Sequence, residues 1–82
     1  MNQSNSPSTA AKRPTLALGD RPHIALYMLL KLEGWSPSGG AAKHAIDAGL
    51  VRVDGQVETR RRCKITPGQV VKMHGYEVMV TE

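Results

Sequence analysis

The hydrophobic pattern of this chain changes period once, at Gly49, and that switch restricts the fold more than any other feature. Upstream, apolar residues recur at helical spacing; downstream, from Val51, they alternate. A helix-period segment cannot keep one face dry in a sheet, and an alternating segment cannot keep an apolar stripe on a helix. Helices must therefore come first and short strands after, an α+β order. Eighty-two residues supply one modest core, with no room for a second domain or a large substrate chamber.

Residues 24–32 are almost wholly apolar, and Leu26, Met28, Leu29, Leu30 and Leu32 keep rotamer freedom in a helix, so the segment is predicted helical. Asp20 and Pro22 suit its start and Gly34 its end. Its apolar coverage exceeds one stripe, which implies packing on two sides and places Tyr27 and Met28 in the core. A link centred on Trp35 follows, the ring being expected to pin the connection. The second helix has two candidate caps, Ser36 with Pro37 behind it, and Ser38. Ala42, Ala45, Ile46 and Gly49 then form a small-residue face for close approach to the first helix, with Gly49 also a left-handed cap; Lys43, His44 and Asp47 fall on other faces.

After the switch, Val51, Val53 and Val57 alternate around Asp54 and Gly55, a pair suited to the positive φ angles of a two-residue hairpin turn. Arg52 points away from its valine neighbours and stays wet. Pro67 and Gly68 mark a further turn, and a second hairpin is predicted from Val70, Val71 and Met73 through His74 and Gly75 to Tyr76, Val78 and Val80. Residues 15–18 form a brief strand or extended segment ahead of Gly19 and Asp20. The whole is two helices packed on one face of a small antiparallel sheet of short strands. Residues 1–14 read as a disordered polar tail ending in Lys12, Arg13 and Pro14, and residues 15–82 as the folded domain.

The chain carries 11 lysines and arginines against 7 acids, a net charge of +4. Arg60, Arg61, Arg62 and Lys64 fall within five residues; with these four set aside, the remaining seven cations balance the seven acids. The excess is therefore local. Guanidinium forks match phosphate oxygens, so nucleic-acid contact is the leading reading, against a docking patch for an acidic protein or a solvated loop. An extended segment would set Arg60 and Arg62 on one side and Arg61 on the other, whereas a turn would splay all three. Lys43 and His44 extend the positive surface if the second helix lies beside the loop, and the amides at that helix's start could accept a phosphate.

Other chemistries find little support. Cys63 is the sole cysteine, so no intrachain disulfide or four-thiolate zinc site can form, and a reducing compartment is favoured. Its cationic neighbours are expected to lower its pKa, yet it lacks a defined base, and a structural or incidental thiol is the plainer reading. His23, His44 and His74 show no metal-ligand spacing, the carboxylates form no recognisable pair, and the glycines include no phosphate-loop fingerprint. No catalysis, metal or cofactor is expected. A concave pocket holding Cys63 or a histidine beside another ionisable group would mark an enzyme, and none is expected. The longest apolar run, residues 24–30, is far short of the ~20 residues needed to cross a bilayer, and no signal-peptide core is present, so a cytoplasmic location is expected.

Taken in order, Ala42, Ile46, Gly49, Val51, Val53, Asp54 and Gly55, then Pro67, Gly68 and Val70, resemble the RNA-binding domain first recognised in small-subunit ribosomal protein S4. The KLEGW and VETRRRCKI segments look particularly like its small stand-alone bacterial members of the YbcJ type, and the likeness covers residues 23–73. The resemblance implies an alpha-L motif and a non-catalytic module whose two helices and adjoining hairpin bind structured RNA, commonly ribosomal RNA; the sequence leaves the oligomeric state open, with a monomer favoured. It carries RNA contacts to Ser38, Gly39, Lys43 and His44 on the second helix, and to Arg52, Arg60, Arg61, Arg62 and Lys64 in and after the hairpin. The chain departs from the broad family at Gly39, where arginine is common, and at Gln69, where aspartate often follows the glycine. The first departure removes a phosphate donor and shifts weight to the arginine cluster. With three to five phosphates engaged, log affinity is expected to fall against log salt with a slope of roughly 2 to 4.5. The competing expectation is a protein-docking adaptor on a ribosome-associated or other acidic assembly.

Overall fold

The computed structural model describes residues 14–82. Its elements run β1 (Thr15–Ala17), β2 (Ile24–Ala25), α1 (Leu26–Leu32), α2 (Gly39–Asp47), β3 (Val51–Val53), β4 (Gln56–Val57), β5 (Lys64–Ile65), β6 (Val70–Met73) and β7 (Tyr76–Thr81). The expected α+β architecture is present, two helices with a sheet of short strands. The tail expected over residues 1–14 lies outside the described residues except for Pro14, whose carbonyl accepts a hydrogen bond from the Met79 amide at 3.0 Å.

The period-two segment folds as its turns dictate. Asp54 and Gly55 both take positive φ, 51° and 85°, which closes β3 onto β4 with Val53 opposite Gln56. The five-stranded sheet has the order β1-β7-β6-β3-β4, antiparallel except at the β1 edge, where Thr15 pairs Met79 in parallel. Alternation decides the faces: Val51, Val71, Met73, Val78 and Val80 are buried, while Arg52 and Lys72, cross-strand partners, are exposed on the opposite face. Those valines meet Leu26, Leu29, Leu30, Ala42 and Ile46 in one core. Burying a side chain of this size stabilises by about 1.5–3 kcal/mol relative to leaving it wet.

Both helices end as their glycines predict. Gly34 (φ 76°) and Gly49 (φ 78°) each follow the C-cap, and the next residue's amide reaches back: Trp35 to the Leu30 carbonyl at 3.0 Å, Leu50 to that of Ala45 at 3.2 Å. The starts are less faithful to expectation. Helix α1 begins at Leu26, later than Asp20 and Pro22 suggest, because Ile24 and Ala25 are taken up by pairing with Ile65 and Lys64 of β5. Of the two candidate caps for α2, Ser38 is used: its hydroxyl accepts from the Ala41 amide at 3.1 Å, while Ser36 is buried in the link. Trp35 stacks on Tyr76, ring centroids 5.5 Å apart, and so ties that link to β7.

Candidate nucleic-acid interface

The basic segment is positioned by the uncapped end of α1. No side chain caps Ala25, leaving first-turn amides that need acceptors. The Leu26 amide donates to the Cys63 carbonyl at 2.9 Å and the Tyr27 amide to the Arg61 carbonyl at 3.0 Å. Residues 61–63 therefore serve as the cap of α1. Ile65, fully buried, anchors the segment from the other side. The Cys63 amide also returns to the Arg60 carbonyl at 3.1 Å, so the chain turns here and the extended alternative does not apply.

The turn splays the three arginines to three partners. Arg60 grips Glu58 with Nε and Nη2 at 2.9 Å, and its own amide donates to the same carboxylate. Arg61 crosses to the last turn of α2, where Nε meets Asp47 at 3.0 and 3.2 Å and Nη2 adds a further bond. Arg62 turns to an aromatic ring, its guanidinium carbon 5.5 Å from the Tyr27 centroid. Lys43 of α2 lies over the same ring, Nζ 4.7 Å from the centroid. Tyr27 thus joins α2 to the basic turn, the adjacency on which extension of the positive surface depended.

The two ion pairs leave their mark on protonation. The hydrogen bonds from the Arg60 side chain, then from its amide, pull the Glu58 carboxyl down from 4.5 to about 2, and Glu58 in turn raises Arg60. Asp47 is likewise lowered, chiefly by its hydrogen bond from Arg61, and Arg61 is raised. Arg60 and Arg61 are consequently charges already matched within the chain.

The remaining site residues separate into groups. Lys64 shares with Arg60, Arg62 and Cys63 an open depression of about 470 Å³. Among the described residues, Lys43, Arg62 and Lys64 have no carboxylate partner. Ser38 spends its hydroxyl on the cap of α2. His44 is exposed beside Asp47, one residue and so about 100° around the helix from Lys43. Arg52 is not brought to this corner: it stands on the outer face of the sheet and its guanidinium bonds the Gly55 carbonyl at 3.2 Å. Gly39 adjoins the corner, since a Cβ built there would lie 3.9 Å from the Tyr27 ring. Gln69 holds its own turn, its side-chain carbonyl accepting from the Thr66 amide at 2.9 Å.

The thiol reading needs correction. A depression does contain Cys63 beside ionisable groups, contrary to expectation, but its pKa is raised, first by burial and then by Glu58, against the lowering expected from its arginine neighbours. Arg60 Nη2 lies 3.6 Å from the sulfur, too weak an influence to offset these. The protonated thiol is favoured, which is the wrong state for a nucleophile. Three residues that hold the basic side chains in place carry little sequence signal for that contact. Glu58 has a faint signal in its spacing of two from Arg60, Asp47 has none toward a residue fourteen positions away, and Tyr27, by its place in an apolar run, signals core packing or at most base stacking, not contact with cations.

A model of the S4 domain matches residues 17–81. Over 66 residues the chain is 59% identical to YbcJ of Escherichia coli (strain K12), spanning 80% of this chain and 94% of that protein. YbcJ of Shigella flexneri matches to the same extent. The solution structure of YbcJ from E. coli, described as revealing an alpha-L motif involved in RNA-binding, is similar with a TM-score of 0.68 at 54% identity, over 88% of this chain and 91% of that one.

Proposed function

The chain belongs to the S4 domain family, and from that premise we propose that it is a non-catalytic module that docks structured RNA, ribosomal RNA foremost, at the corner between α2 and the basic turn. The observation that carries this reading is that Lys43, Arg62 and Lys64, which have no carboxylate partner among the described residues, are drawn to this corner from a helix, a turn and a strand. Cations on rigid elements hold fixed separations and so select phosphates by their arrangement in space, which is how a folded RNA differs from an extended strand. The relatives support it, since the YbcJ structure is described for an RNA-binding motif. Arg60 and Arg61 take a supporting part here, shaping the turn through Glu58 and Asp47. A monomer in the cytoplasm is the setting this reading assumes; among the described residues no helix is long and apolar enough to cross a membrane.

The test is a titration of the full chain with folded ribosomal RNA fragments and with polyuridine of equal length, across a range of salt. Folded RNA is expected to bind more tightly, with log affinity falling against log salt at a slope of about 2 to 3 for three phosphate contacts. Equal affinity for both RNAs, or a slope near zero, overturns the reading. Complexes isolated from cells that survive complete RNA removal would instead favour docking to an acidic protein.

A further inference from the structure

Resting on that RNA-binding reading, we infer that Tyr27 is the residue that positions the phosphate-binding cations, holding Lys43 and Arg62 together without neutralising either. Arg60 and Arg61 are held by carboxylates, which fix a guanidinium and also cancel its charge. Lys43 and Arg62 are held by a ring, Nζ at 4.7 Å and Cζ at 5.5 Å from one centroid. A ring attracts a cation through its quadrupole and carries no net charge, so it restrains the side chain while leaving the full positive charge to meet an anion.

The arrangement also answers a difficulty of electrostatics. Both cations are measured to the same centroid, so they stand no more than about 10 Å apart, within roughly one Debye length at 0.1 M salt, and repel each other. Two long side chains from separate elements would otherwise diverge into solvent. Tyr27 offsets that repulsion and is itself fixed, half-buried against the core with its amide bonded to the Arg61 carbonyl at 3.0 Å. The ring therefore couples three segments, α1, α2 and the turn, at one point. Its ligand is a pair of phosphate groups of an RNA backbone presented to Lys43 and Arg62 together. Tyr27 acts through these two cations, and base stacking on its ring is the alternative that the test separates.

The experiment is a thermodynamic cycle read by binding of the full chain to a folded ribosomal RNA fragment. Tyr27→Leu is expected to weaken binding about threefold to tenfold, and Tyr27→Phe, which keeps the ring, to bind as wild type. In a Lys43→Gln/Arg62→Gln background, Tyr27→Leu should change affinity by less than about twofold, because the residues it positions are gone. An equal loss in both backgrounds would mean that the ring touches RNA directly and overturns the positioning role. Wild-type affinity in Tyr27→Leu overturns it too. Should Tyr27→Leu fail to fold, the wild-type chain still decides: the Lys43 ε-methylene protons must show an upfield ring-current shift in NMR, and its absence removes the contact and the inference. If the wild type binds no folded RNA, the functional reading falls and this one with it; if it binds and only the cycle fails, this inference falls alone.

Discussion

On the outer face of the sheet, Arg52 and Lys72 are cross-strand neighbours, and Lys72 reaches Glu77 at 3.5 Å; at the corner of α2 and the basic turn, Lys43 and Arg62 share a tyrosine ring. Both regions are cationic, with Arg52, Lys72 and Arg62 exposed and Lys43 half-buried. They differ in what sits beside the charge. On the sheet, Glu77 pairs with Lys72 and the Gly55 carbonyl takes one donor of Arg52, while near the corner Glu58 and Asp47 neutralise Arg60 and Arg61. At the ring the donors are steadied but unspent. A count of lysines and arginines therefore misjudges an anion site, because ion pairs inside the chain subtract from it.

The largest expected effect sets the two regions against each other. Lys43→Gln/Arg62→Gln/Lys64→Gln should weaken binding to folded RNA by at least about tenfold at 0.1 M salt and flatten the salt slope by about 2 or more. Arg52→Gln/Lys72→Gln should weaken it by less than about twofold. Similar losses from both variants would mean that RNA covers the sheet as well and would dissolve the distinction. The sharper test frees a matched cation: Asp47→Asn should release Arg61, raising affinity about twofold to threefold and steepening the salt slope by just under 1. A loss of affinity in that variant would assign the Asp47–Arg61 pair to holding the turn in place.

The smallest effect concerns acid. Because the folded Glu58 carboxyl is depressed from 4.5 to about 2, its pairing with Arg60 contributes stability in full above about pH 4.5 and loses it as pH falls toward 2. Thermal melts of the wild type should decline through that window, and Glu58→Gln should decline less. Arg60 is well exposed although Glu58 is only 17% exposed, so solvent screens the pair and the difference will be modest. Parallel declines would show that the Glu58 pairing contributes nothing measurable.

Much of the fold was legible in the chain. Gly34 and Gly49 end their helices because left-handed caps need them, and Asp54 with Gly55 turns the hairpin for the same local reason. The start of α1 was not, since Ile24 and Ala25 look helical by composition and are diverted by a strand some forty positions later. The candidate site was legible as a cluster and illegible as a geometry. Arg60, Arg61 and Arg62 are alike in sequence; the spacing of two hints at Glu58 for Arg60, and nothing local sends Arg61 to Asp47 or Arg62 to Tyr27.

What the sequence alone determined is the order of helices and strands, the turns between them, the single core and the place of the excess charge. These follow from periodicity, φ preferences and composition, all properties of neighbours along the chain. Only the tertiary structure decided which of those charges remain unmatched. That outcome depends on Tyr27, Lys43, Asp47 and the 60–63 turn meeting across α1 and α2, and the interactions of charges and rings depend on separations in space that no local spacing encodes.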